Sequence, residues 1–441
     1  MPPTNDDPQQ LMQAGIAAEE ATDWSAAVEA YERCLTALAA GGAFDEAEVL
    51  TRLGRCYWNL SEARTAWRTL RRAISLYEQR GDGVGQARAT VEILRIWGPP
   101  VRQREMADAA LAALAGADPY LRARLLVSKR WDEAEGEAAF DEAIAIAERH
   151  GYGDLLALRT EREAWRAQEE GRLDESLALR EQVFEAYAQA RRHDWAAATL
   201  RGAGFFTIAT GALDDGVALA ERCFVYACGA HLAFSAQLAL MDMAGVLYAR
   251  GEFDRCEETL ARSPGTSDFR ADLYRMWMAE ARDGAEAALP LMVDPARGGN
   301  TPTAMGQIHA AAAGVLYRAG KLDAARSAMQ AWRDVPRAAG DDEDYVWEAP
   351  ALLGCLLNEG DDELIRKVRD AIQKFDARGN VRLQFTTLQG RALAPLRGGI
   401  AMRLGLIEEA RRAYADGLAW CQRERLVRDA ELCRAGFEGG R

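Results

Sequence analysis

The chain has 441 residues, 49% hydrophobic, 28% charged and 8% aromatic, with a formal net charge of -14. That apolar content supports a packed core and excludes intrinsic disorder and collagen-like repeats. The acidic balance repels phosphate backbones and anionic lipid, so general nucleic-acid and membrane-surface binding are not expected, and proteins or small molecules are the expected partners.

The opening MPPTNDDPQQ places acidic and polar side chains where an export signal needs a positive region and then an apolar one, which predicts a cytoplasmic protein. From there helical periodicity runs almost to the end of the chain, in segments of about 14 to 20 residues separated by short Gly, Pro or Asp-rich breaks. No segment alternates as a strand should, so the expected class is all-α. The breaks repeat: Gly171, Gly211, Gly251, Gly320, Gly360 and Gly405 each lie between two amphipathic helices, and Thr22 and Ser61 take the same place without glycine. A mean spacing of about 38 residues predicts roughly 11 helix pairs, with Leu426 to Glu438 left over as a capping helix.

Within this ladder a small residue stands five positions after each turn, at Ala27, Ala66, Ser176, Gly216, Cys256, Ala325 and Ala410. A larger one follows four later at Tyr31, Leu70, Leu260, Met329 and Tyr414. The small side chain lets the second helix approach the first, and the bulky one fills the gap to the next repeat. Leu232 to Ala249 reaches spanning length, but Gln237 and Asp242 near its middle make it a core helix. The stretch Asp294 to Pro302, with two prolines and two glycines, divides the single solenoid into expected lobes 8–293 and 303–441. The breaks at Pro99-Pro100, Ser263 to Gly265 and Pro336 read as inter-helix turns.

Chemistry-bearing motifs are missing. The Gly320-Lys321 pair is followed by Leu322, so no phosphate-cradling loop forms, and no nucleophile elbow, zinc-protease helix or calcium loop is present. No enzyme activity, cofactor or metal site is expected. The eight cysteines include no Cys-x-x-Cys pair and read as reduced, structural thiols. His231 and His309 read as structural, the acidic run Asp341 to Asp344 as a helix cap, and Trp67, Trp332 and Trp420 as packing. All but four of the 54 basic residues are arginines, so an anionic ligand would meet forked guanidinium groups.

With its order Gly15, Ala27, Tyr31, and again Gly54, Tyr57, Ala66, the chain resembles the tetratricopeptide repeat superfamily. The longer repeats are similar to those in the sensor arms of bacterial signal-transduction ATPases and transcriptional activators. The resemblance implies an α-solenoid superhelix whose first helices line a concave groove. Carried over by position, it puts Arg55, Trp58 and Asn59 in that groove, with Trp165, Arg201, Phe205, Tyr248 and Tyr317 from later repeats. An arginine-and-aromatic lining suits an extended protein or peptide segment bearing carboxylates and apolar side chains. The family's lysine-and-asparagine clamp for peptide C-termini is not matched, since Ile16, Arg55, Trp165 and Phe205 stand in its places. Two readings stay open: a non-catalytic protein-binding scaffold, and a regulatory module that senses a peptide or small molecule.

Overall fold

The computed structural model describes residues 7–39, 44–60, 62–96, 100–128, 134–264, 269–298, 302–336, 343–378, 384–386 and 390–439. Among them the helices fall into eleven consecutive antiparallel pairs, from Pro8–Glu20 with Trp24–Ala39 to Ala394–Arg403 with Ile407–Arg423, and the helix Val427–Gly439 follows as a cap. Two pairs are irregular. In the eighth, Phe269–Asp283 is followed only by the single turn Ala285–Ala288 and a 3₁₀ turn. In the tenth, the first helix is broken into Glu343–Glu348 and Leu353–Glu359 by a 3₁₀ turn containing Pro350, whose ring supplies no N–H to continue the ladder. Of the acidic run expected to cap this helix, Asp341 and Asp342 lie outside the described residues, as does Ser61.

Local chemistry sets the helix ends. Asp7, Asp45, Asp82 and Asp118 each accept a hydrogen bond from a first-turn backbone N–H, at Gln9, Ala47, Gly85 and Leu121. At the other end the chain reverses through left-handed backbone at Gly171, Gly211, Gly251, Gly320 and Gly405, where the absence of a Cβ removes the steric cost. Thr22, Arg191, His231 and Arg425 adopt the same conformation without being glycine. Gly360 is the exception among the turn glycines: it is extended, with φ -71° and ψ 143°, and Asp361 then caps the next helix through Leu364 N.

The spacing of small and large residues becomes close packing. Ala27, Ala66, Cys256, Ala325 and Ala410 are fully buried, as are Tyr31 and Leu70. A Cβ added to Gly15 would lie 2.3 Å from the Tyr31 ring, one on Gly54 2.5 Å from Leu70, and one on Gly398 2.5 Å from Tyr414. The same partner is met sixteen residues on each time. Twelve-residue links tie the pairs as well, with Ser176 Oγ donating to the Ala164 carbonyl at 2.8 Å and Cys256 Sγ to that of Ala244 at 3.5 Å.

The chain forms two compact units. The first comprises Met1–Arg162, Gln182–Ala196 and Tyr226–Phe234, with cores around Tyr31, Leu53 and Leu70 and around Phe140, Leu155 and Tyr187. The second comprises Glu163–Glu181, Ala197–Val225 and Ser235–Arg441, and includes the whole 294–302 stretch, where Pro295–Gly298 makes a 3₁₀ turn ahead of the helix Pro302–Arg318.

One element of the second unit departs from the all-helical expectation. Phe385–Thr386 pairs antiparallel with Arg391–Ala392, too short a ladder to leave an alternating pattern. Gln384 N donates to Ala209 O at 2.8 Å, and Phe385 is fully buried in a cluster with Ile208, Val246, Trp420 and Leu426. The helix Ala233–Ala249 is core, as expected: Gln237 donates to Pro264 O at 3.0 Å, and Asp242 pairs with Arg201. Among the described residues no helix is long and apolar enough to cross a membrane. All eight cysteines are free thiols, seven of them buried.

Because Gly398 has no room for a side chain whereas a Cβ on Gly405 meets only open space, the two positions should respond differently. Gly405→Ala should cost about 1–2 kcal/mol through its left-handed backbone alone. Gly398→Val, which also forces Tyr414 aside, should cost about 1–3 kcal/mol and loosen the last pair. Urea unfolding of each variant, with Tyr414 contacts followed by NMR, checks both the order and the cause.

Candidate functional site

Charged side chains from successive first helices converge in the first unit. Glu19, at the end of Pro8–Glu20, accepts from Tyr31 Oη at 2.9 Å and is met by Arg52 at 3.2 Å and by Arg55. Further along, Arg95 bridges two carboxylates, with Nη1 2.6 Å from Glu92 and Nη2 2.8 Å from Asp194. Burial opposes the charge on Glu92, and Arg95, Arg55 and Arg124 overcome it, holding its carboxyl down at about 2. Burial likewise opposes the charge on Asp194, and Arg95 with Arg192 holds that carboxyl below the usual range.

Arg124 stands differently in this network. It is only 4% exposed, and its guanidinium lies 4.3 Å from the centre of the Trp195 ring, which Arg192 also approaches at 4.9 Å. Among the described residues its side chain donates to Tyr120 Oη at 3.3 Å, and Tyr120 in turn donates to Asp154 at 2.7 Å. Among the described residues no carboxylate is within ion-pair distance of Arg124 or of Arg192. Burial, and then the like charge of Arg192, push the Arg124 guanidinium below the usual arginine range. The cation–π contact with Trp195 offsets part of that desolvation.

The expected groove residues are distributed over both units. In the first, Arg55 belongs to the charged network, Trp58 packs on Phe234 with ring centroids 4.6 Å apart, and Asn59, 5% exposed, is buried. In the second, Trp165 meets Phe206 edge-on at 4.9 Å and carries Arg180 over its face at 4.8 Å. Arg201 lies over Phe205 at 4.9 Å while its Nε donates to Asp242, which is 1% exposed, at 3.1 Å. Phe205 also meets Trp347, 5.3 Å away. Tyr248 is 6% exposed: Arg428 Nη1 donates to its hydroxyl at 3.0 Å, and the backbone of Gly390 closes over its ring. Tyr317 is half-buried against Gly354. Arg55 and Trp58 thus share a helix with access to solvent, whereas Tyr248 is covered by the chain's own C-terminal segments.

Glu92, Arg95, Arg124, Arg192 and Asp194 were not singled out by sequence. The only local signal is their place at the ends of first helices or in the turns beside them. Among the described residues no group of three His, Cys, Asp or Glu side chains could hold a metal ion.

The paired helices with their recurring small-to-large contacts make this a tetratricopeptide-like helical repeat. No family model matches the sequence, and no curated protein does. Among solved structures, the chain aligns with the tetratricopeptide domain of P58(IPK) at 12% identity, covering 98% of this chain and 99% of that one with a TM-score of 0.29. Yeast Tom70 aligns at 10% identity over 97% of this chain and 95% of that one, TM-score 0.30. A chain of the APC/C hetero-tetramer Cut9-Hcn1 aligns at 11% identity over 98% and 96%, TM-score 0.31.

Two outcomes follow from the ion pairs. Since Glu92 is held below its usual 4.5, its contribution to stability is present above that pH and is lost as the pH falls toward 2. Denaturant unfolding from pH 5 to 2 should show the loss, and Glu92→Gln should flatten the slope in that window. Arg201→Glu should be destabilising by about 3–5 kcal/mol, because it leaves the buried Asp242 facing a like charge. Arg201→Glu with Asp242→Arg should recover part of that loss in thermal melts.

Proposed function

We propose that the chain is a non-catalytic, cytoplasmic binding module that holds a protein or peptide segment on the first-helix face of its first unit. The observation that carries this reading is Arg124. Its guanidinium is buried to 4% exposure, a second arginine is the strongest charge acting on it, Glu92 acts on it only at a distance, and among the described residues no carboxylate lies within ion-pair reach. Such a group favours a ligand that supplies a carboxylate, because the charge is already desolvated and a paired anion gains more than it would in water.

Aromatic rings supply the second half of the recognition. Trp195 is held by Arg124 and Arg192, and Trp58 and Phe234 form a rigid pair in the same unit. Rigid aromatic contact area costs little side-chain entropy on binding. Together the two features fit a segment that alternates acidic with apolar side chains.

A displayed random-peptide library selected on the intact chain tests this directly. The selected peptides should be rich in Asp or Glu together with aromatic residues, and Arg192→Gln, at a half-exposed position, should weaken them about tenfold or more with helicity unchanged. Enrichment of basic or uncharged peptides, or equal binding by the variant, would overturn the assignment.

A further inference from the structure

The second unit contains a cavity of about 540 Å³ that the peptide-binding reading does not use. Its walls come from segments distant in sequence: the end of Ala233–Ala249, the Phe269–Asp283 helix, Arg318, the Gly390-Arg391 turn and the start of Val427–Gly439. Its volume falls within the range of small-molecule sites, about 300–1,000 Å³. We propose that this cavity binds a small organic anion, a carboxylate or phosphate monoester on an aromatic or aliphatic body, with Arg428 as its anchor.

The charges lining the cavity are unequally satisfied. Glu280 is held by Arg318, whose Nε meets Oε1 and whose Nη2 lies 2.9 Å from Oε2. Asp429 is held by Arg391, with Nε 2.9 Å from Oδ1, and by Ala392 N, 2.7 Å from Oδ2. Each buried carboxylate therefore has a guanidinium of its own. Arg428 does not: its hydrogen bond goes to the neutral Tyr248 hydroxyl, and the nearer Glu280 oxygen is 4.0 Å away, the outer limit of an ion pair.

With its side chain 36% exposed, Arg428 has donors left for a ligand at the mouth. Glu431, exposed at the rim, is the third carboxylate of the lining, so three guanidinium groups face three carboxylates and Arg428 is the group with donors still open. Those open donors call for an acceptor-rich, anionic head group. Tyr248, Phe253, Ala281 and Ala285 supply an apolar wall for the rest of the molecule.

Because Arg428 and Tyr248 are 180 residues apart and line the same cavity, an occupant would touch both sides at once. Binding there stabilises the docking of the C-terminal helix on the middle repeats by mass action.

The test is calorimetric titration of the full chain with phenylacetate, hexanoate and phenyl phosphate. Phenethylammonium and phenylacetamide serve as the cationic and neutral counterparts, and hydrogen exchange of residues 427–439 is followed in parallel. Saturable binding of a carboxylate or of the phosphate is expected, with slower exchange of the C-terminal helix, and which acid binds identifies the head group. Arg428→Gln should weaken it about tenfold or more. Ala281→Trp, at an exposed position, should block it while leaving the thermal midpoint unchanged. Absence of saturable binding by all three acids, binding of the ammonium or amide as tight as that of the acids, or unchanged affinity in both variants would overturn the proposal. None of these outcomes touches the peptide face of the first unit.

Discussion

The close approach of the two helices within each pair is the constraint on which the rest depends. Where Gly15 faces Tyr31, Gly54 faces Leu70 and Gly398 faces Tyr414, no Cβ fits between the backbone and the facing side chain. That contact fixes the rotation of the second helix about its own axis, and with it which residues of the first helix are left for the next pair or for solvent. A ladder built this way needs few long-range specifications, because each pair is positioned by its neighbours.

Charge placement follows from the same stacking. The first helices of different pairs bring an arginine on or beside one to a carboxylate on another: Arg55 with Glu19, Arg95 with Asp194, Arg201 with Asp242, Arg318 with Glu280. Arginine suits this task better than lysine because its fork can engage two groups at once, as Arg95 does with Glu92 and Asp194. A chain that pairs its internal charges so systematically makes the exceptions informative. Arg124 and Arg192 in the first unit have no carboxylate within ion-pair distance among the described residues, Arg428 in the second reaches Glu280 only at 4.0 Å, and both proposals rest on that asymmetry.

Much of the fold was legible in the sequence because it is local. Turns recurring about every 38 residues, and a small residue followed four later by a larger one, act over a single pair, and those signals led to eleven pairs and a terminal cap. Gly360 shows the limit of that logic, since Asp361 starts the next helix without a left-handed turn. The Phe385–Thr386 and Arg391–Ala392 pairing was not legible, because two-residue strands carry no period and Phe385 is held by residues far away in the chain. The candidate site was legible only in part. Arg55 and Trp58 occupy solvent-accessible positions on a first helix, but nothing near Tyr248 in the sequence announces that Arg428 and Gly390 cover it. Nor does periodicity distinguish Arg124, whose meaning depends on Trp195 and Arg192 from a distant repeat.

A double-mutant cycle between Arg95 and Asp194 tests most directly that the stacking of pairs, and not local sequence, assembles the charged face. These residues come from different repeats of the first unit, with Nη2 2.8 Å from Oδ2. Unfolding free energies of Arg95→Ala, Asp194→Ala and the double variant should give a coupling of about 1 kcal/mol or more. Additive effects within about 0.5 kcal/mol would mean that the two side chains do not meet, and the assembly described for the first unit would be contradicted.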